Sequence, residues 1–270
     1  MRSADEALPP GSADVFVGHV QLSRPDDALP DDAPAGYPFD LPVVRALRDA
    51  GGLVLDRPVT FLVGHNGSGK STLVEALAVA LGLNPEGGSP NFRFATADAH
   101  SALGEALVVR YGPRKPRSSF FLRAESFFNV ASEIDRLDRE GGPPLLPAYG
   151  GVSLHERSHG ESFLDLLTHR FRSDGLYLLD EPEAALSPQG AMAALARIHR
   201  LAREGAQFVV ATHSPILLAV PDARILEIGD DGSWRSVTYD EAMPVALTRG
   251  FLADPARLLT ELLGGDPGQA

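Results

Sequence analysis

Apolar residues fall along this chain in two kinds of run. The first kind is short, continuous and partly β-branched: Val59-Thr60-Phe61-Leu62-Val63, Gly175–Leu179 and Gln207–Ala211. A run without a polar face suits a strand buried on both sides, as in a parallel sheet. The second kind repeats every three or four residues and predicts helices over Leu41–Ala50, Ser71–Leu81, Ser126–Glu140, Glu161–Phe171, Pro188–Gly205 and Pro255–Leu263. Val15–Leu22, Ala106–Tyr111 and Ser119–Leu122 read as further strands. Ala223–Ile228 and Trp234–Tyr239 flank Asp230-Asp231-Gly232, which predicts a closing hairpin. Residues 24–39, 84–100 and 141–147 carry the Pro, Gly and polar content of loops. Strands alternating with helices predict an α/β fold whose mostly parallel sheet is covered on both faces. Residues 1–13 read as a disordered leader and 14–270 as one domain.

Composition narrows this picture. The 270 residues are 44% hydrophobic, enough for one large α/β core. No stretch of about 18 apolar residues predicts a membrane span. Met1–Asp14 lacks the basic start and apolar centre of a secretion signal, so the expected location is the cytoplasm. With no cysteine, disulfides and thiolate metal sites are excluded. A net charge of −12 argues against nonspecific nucleic-acid binding. Arg110, Arg114, Lys115 and Arg117 are a local basic cluster, read first as a solvated loop. His155, His159 and His169 lack the spacing and acidic neighbours of a metal site.

The chemistry concentrates after the first continuous run. Gly64-His65-Asn66-Gly67-Ser68-Gly69-Lys70-Ser71 fits the Walker A pattern, between a buried strand and a helix. Glycines there let backbone N–H groups surround phosphate oxygens, and the helix N-terminus adds partial positive charge. Lys70 is expected to reach the β- and γ-phosphates of ATP, Ser71 to bind Mg²⁺, and Thr72 to help hold the α-phosphate. Leu176–Leu179 ends in Asp180-Glu181, an acidic pair at a strand tip. Asp180 is expected to hold Mg²⁺ and Glu181 to act as general base on the attacking water.

Asp180-Glu181-Pro182-Glu183-Ala184-Ala185-Leu186 resembles the Walker B and D-loop of ABC-type ATPases. His213 follows 33 residues after Asp180, at the end of another buried run, and resembles that family's switch histidine. Arg157-Ser158-His159-Gly160-Glu161 stands where the family places its signature. Ser158 and Gly160 match it, and Glu161 matches the acidic variant of chromosome-maintenance and DNA-repair members. His159 and Arg157 depart from it. The resemblance covers about Val15 to Val237 and is to stand-alone ABC-type ATPases of the AAA-ATPase-like group. It implies N-terminal antiparallel strands, a small helical lobe over about 123–172, and a homodimer in which Ser158, Gly160 and Glu161 of one copy meet the nucleotide held by another. At the family's Q-loop position stands Arg123-Ala124-Glu125, with Glu125 a candidate for the metal or water and Arg123 for phosphate. Phe16 is the candidate for stacking on adenine.

The leading expectation is an Mg²⁺-dependent ATPase whose ATP-driven dimerisation is coupled to an unknown protein partner. A slow nucleotide-dependent regulatory module is the alternative, with DNA association open by analogy alone. A transporter's energising subunit is a third reading, needing a separate membrane partner. A small-molecule kinase does not need the signature and the strand-tip histidine.

Overall fold

The computed structural model describes residues 15–23, 36–89, 101–139 and 144–264. The expected leader, most of the loop expected at 24–39, and parts of those at 84–100 and 141–147 lie outside the described residues.

The fully buried runs form the centre. A six-stranded sheet is built from β3 (Val59–Gly64), β5 (Ser118–Arg123), β6 (Gly175–Asp180), β7 (Gln207–Ala211), β8 (Arg224–Ile228) and β9 (Trp234–Val237), in the order β5-β6-β7-β3-β8-β9. All neighbours are parallel except β8 and β9, the expected hairpin. A second sheet, antiparallel, has the order β2-β1-β4, from β1 (Val17–Leu22), β2 (Leu53–Val54) and β4 (Leu107–Tyr111).

Successive side chains of a strand point to opposite faces, which sorts the core into two layers. Phe120, Leu122, Tyr177 and Leu179 join the layer packed under α4 (Phe127–Arg139), α5 (His159–Asp165) and α6 (Pro188–Arg203). Phe121, Leu176 and Leu178 join the layer under the small sheet, α1 (Pro42–Asp49), α2 (Lys70–Ala80) and α3 (Ser101–Glu105). Gln207 locks the two sheets together. Its Oε1 accepts the N–H groups of Phe16 and Val17 at 2.9 Å, and its Nε2 donates to the carbonyls of Val17 and Leu55 at 2.8 and 3.2 Å. A buried amide is tolerable because its donors and acceptor are all engaged.

The helix expected over Glu161–Phe171 is α-helical only through Asp165 and then widens into a π turn, Leu166–Arg170. Arg197 of α6 donates to the carbonyls of Leu167, Thr168 and Phe171, giving partners to groups that a regular helix would have bonded within itself. Two helices close the described chain, α7 (Met243–Ala253) and the expected α8 (Pro255–Leu262). The first was not legible, because Pro244 and Gly250 interrupt its apolar pattern. No helix among the described residues is long and apolar enough to cross a membrane.

The strand register aligns one edge of the large sheet. Arg123 pairs with Asp180, Asp180 with Ala211, Leu62 with Ala211, and Gly64 with Ile228. The carboxyl ends of β5, β6, β7 and β3 therefore finish at one level. Loops leaving that edge of a parallel sheet converge on a crevice.

Candidate functional site

The loop Gly64–Ser71 leaves β3 and runs into α2. Two of its glycines have no substitute. At Gly64 (φ 154°) a Cβ would meet the Ile228 carbonyl oxygen at 2.7 Å, and at Gly69 (φ 92°) it would meet Val43 at 2.3 Å. The backbone is thus pressed between β8 and α1. Gly69 opens α2 in a left-handed conformation, with no side chain capping the helix. His65, Asn66 and Gly67 are exposed at the loop's crest, and Thr72 lies in the first turn of α2.

Lys70 is buried, and its Nζ donates to the carbonyls of Gly64 and His65, both at 2.9 Å. Burial lowers its pKa, while Glu181, Asp180 and Glu183 oppose that shift. The ammonium is therefore held inside the loop, close to three carboxylates. Ser71 Oγ donates to Asp180 Oδ1 at 2.8 Å. Burial raises the pKa of Asp180, against the Ser71 hydrogen bond and the Arg123 charge. A buried carboxylate beside a hydroxyl is an all-oxygen donor pair, which fits a small hard cation such as Mg²⁺. The side-chain oxygen of Ser68 is buried without a hydrogen-bond partner.

Glu181 sits in a left-handed conformation (φ 49°), uncommon for a residue with a side chain. Its N–H is fixed to the Ala211 carbonyl at 2.9 Å, and its carboxylate remains accessible. His213 Nε2 lies 3.9 Å from Glu181 Oε1, with no hydrogen-bond partner. Its pKa is lowered, first by burial and then by the nearby Lys70 charge, so the neutral imidazole is favoured at neutral pH. Lys70, Ser71, Asp180, Glu181 and His213 thus gather at one sheet edge although the chain separates them widely.

The signature segment lies at the start of α5. Ser158 and Glu161 form a complete capping box: Ser158 Oγ accepts the Glu161 N–H at 3.4 Å, and Glu161 Oε2 accepts the Ser158 N–H at 3.0 Å. Arg157, just before α5, pairs with Asp165 at the helix's far end, which accounts for an arginine at that position. Gly160 packs close to the Ala185 carbonyl, where a Cβ would stand 3.0 Å away.

Phe16, Arg123 and Glu125 lie as follows. Phe16 is fully buried under Arg114, so it cannot stack on a nucleotide base. Arg123 is already engaged: it bonds Glu75 of α2 at 2.9 Å and lies 3.4 Å from Asp180 Oδ2. It braces the acidic strand tip rather than reaching for a phosphate. Glu125 extends into solvent, 3.6 Å from Arg123, its side chain 84% exposed.

Two participants had no assigned role in the sequence. Glu75 is a buried acid on an otherwise apolar helical face, a signal that could have been used. Glu183 accepts the Thr212 hydroxyl at 2.7 Å and the His213 N–H at 2.5 Å. Nothing local in the sequence points to that pairing across 30 residues.

Parts of the chain are similar to known ATP-binding proteins. Residues 44–124 match a family described as "AAA domain", and residues 145–219 one described as "AAA domain, putative AbiEii toxin, Type IV TA system". A curated "Putative ABC transporter ATP-binding protein" of Streptomyces coelicolor is 35% identical over 69% of this chain, and one of Streptomyces avermitilis is 30% identical over 72%. The chain spans only 34% and 36% of those relatives' lengths. Among solved structures, a nucleotide-free ATP-binding cassette of an ABC transporter is 15% identical, with a TM-score of 0.41 over 76% of this chain and 88% of that one. The SMC head domain of Thermotoga maritima is 16% identical, with a TM-score of 0.37 over 69% of this chain and 92% of that one. Scores below 0.5 leave the assignment to the motifs and their geometry.

Proposed function

We infer that this chain, a P-loop ATPase domain of the ABC type, binds ATP on the loop Gly64–Ser71 and hydrolyses it to ADP and phosphate, in the cytoplasm where ATP is supplied. One observation carries this reading: Ser71 on the first turn of α2 meets Asp180 at the tip of β6, at 2.8 Å, with Lys70 held in the loop beside them. That is the arrangement a Mg²⁺–triphosphate requires. Ser71 and Asp180 would hold the cation, which when bound offsets charge on the transferred phosphoryl group.

The chain's own groups supply the rest. Backbone N–H groups of residues 65–71 and the uncapped start of α2 face the phosphates. Lys70 trades its carbonyl partners for phosphate oxygens. Glu181 accepts a proton from the attacking water, with its backbone fixed at the strand tip and its carboxylate accessible. Neutral His213, 3.9 Å from Glu181, would donate its one imidazole N–H to a terminal phosphate oxygen. Ser158, Gly160 and Glu161 of a second copy would complete the site, and ATP binding would close that homodimer. Hydrolysis would reopen it and so couple the cycle to a protein partner. Residues 14–270 act as one unit in this scheme, with 123–172 as its helical lobe.

The capping box at Ser158 favours a second reading. A helix end that satisfies its own donors suits a slow, regulatory nucleotide cycle. Turnover separates the two. Changing Glu181→Gln should lower hydrolysis by about 10²–10⁴-fold while ATP still binds. Wild-type hydrolysis no faster than that of the Gln variant would reject the hydrolytic reading in favour of the regulatory one.

A further inference from the structure

Between α5 and the turn that carries His213 runs the short loop Pro182–Ala185, directly after Glu181. On one side it touches the signature helix, through the close approach of Gly160 to the Ala185 carbonyl. On the other side both carboxylate oxygens of Glu183 are given to one turn: Oε2 takes the Thr212 hydroxyl at 2.7 Å and Oε1 the His213 N–H at 2.5 Å. Thr212 is fully buried, and its own oxygen accepts the Ser214 N–H at 3.0 Å. The turn is therefore tied in succession at residues 212, 213 and 214. The loop itself has little freedom. Glu181 is held left-handed and Pro182 is buried, with its φ fixed by the ring.

We propose that Glu183 is a positioning residue for hydrolysis. It fixes the backbone of the 212–214 turn, and so the aim of His213 at Glu181. It also carries to that pair any displacement of Pro182–Ala185 that a second copy imposes by docking on α5. The proposal rests on the ATPase reading above and adds a cis link between the signature helix and the switch histidine. The physical case has two parts. A carboxylate accepting two hydrogen bonds, one from a backbone N–H, holds geometry more firmly than neutral pairs do. The His213–Glu181 separation of 3.9 Å is just outside hydrogen-bond range, so a small movement of the turn makes or breaks the contact. Glu183 reaches the His213–Glu181 pair through this turn, while its charge alone bears on the Lys70 ammonium.

The test uses the full chain with Glu183→Ala and Glu183→Gln, and Glu181→Gln as the reference without a base. Steady-state kinetics give kcat and KM, a fluorescent ATP analogue gives affinity, and hydrogen exchange without nucleotide reports on the 212–214 turn. The Ala variant is expected to lose about ten- to hundredfold in kcat, as misplacement of a catalytic group does. Affinity and KM should change far less than kcat, since only the charge of Glu183 bears on Lys70, and Glu183→Gln, which removes the charge and keeps an acceptor, reads that part separately. Exchange should quicken at 212–214 and not in β7. Glu183→Gln keeps an acceptor for the His213 N–H and should recover part of kcat. An Ala variant with wild-type kcat overturns the proposal. So does one in which affinity falls with kcat while exchange quickens throughout β7, because that is a folding role. If the Ala variant does not fold, Thr212→Val removes one of the two bonds and is read by the same measurements. If the wild type does not hydrolyse ATP, the ATPase reading fails separately, and unchanged exchange at 212–214 in the variant would still refute the clamp.

Discussion

The starts of α2 and α5 are both expected to meet phosphate, yet they are built in opposite ways. The start of α2 follows a left-handed glycine, and no side chain caps it. Its first N–H groups are left for a ligand. The start of α5 is closed on itself, with Ser158 and Glu161 satisfying each other's backbone donors. An anion arriving there must displace the Glu161 carboxylate from the Ser158 N–H. The difference teaches that a matching motif and a ready site are separate things. On the proposed reading the P-loop is organised for its ligand before the ligand arrives, whereas the signature segment stabilises its own helix first.

The sharpest way to break this contrast is at Lys70. Lys70→Ala should reduce ATP turnover by roughly 10²–10³-fold or more, read in a phosphate-release assay, because the buried cation of the loop is lost. Equal turnover would remove α2's claim to be the prepared end. Next comes Gly69→Ala. The left-handed φ and the approach of Val43 should cost about 1–3 kcal/mol of stability, measured by denaturant unfolding, together with loss of nucleotide binding. Ser158→Ala should cost less, about 1 kcal/mol, and leave isolated ATP binding unchanged.

The smallest effect is a pH dependence confined to α5. Glu161 is held below its usual pKa of 4.5, first by the Ser158 hydroxyl and then by the Ser158 N–H. A carboxylate with a depressed folded pKa stabilises above the unfolded value, and that stability is lost as pH falls below it. The contribution of the box should therefore be complete above about pH 4.5 and fade on acidification. In a pH series of unfolding curves, Glu161→Gln should flatten that slope. An unchanged slope would mean the box contributes nothing in solution.

Much of this was legible in the sequence, and the reason is local. Continuous apolar runs marked β3, β6 and β7 because strands buried on both faces admit little else. The Walker A glycines declared their turn because two of them tolerate no Cβ. The parts that stayed hidden depend on distant partners. The capping box is a local pattern, but its closure on itself appears only once Glu161 is seen bonding back to Ser158. Gln207 reads as the polar start of a strand until its amide is seen joining the sheets. Phe16 looked available to adenine because its pattern says strand and not how deeply the strand lies. The π turn after Asp165 has its carbonyls met by Arg197, far along the chain. Glu183 was quoted within a motif, but its bonds to Thr212 and His213 exist only in three dimensions.

The most direct test of the account is a mixing experiment between two inactive variants. Lys70→Ala destroys the P-loop and keeps the signature. Ser158→Glu keeps the P-loop and places a negative charge where the partner's phosphate should dock. If the two helix ends form one site across two copies, equal mixing of the variants restores activity. Random pairing makes half the dimers mixed, each with one intact site, so about a quarter of wild-type turnover should return. Mixtures that stay as inactive as the separate variants, with dimers present, would contradict the shared site and leave α5 as a capped helix alone.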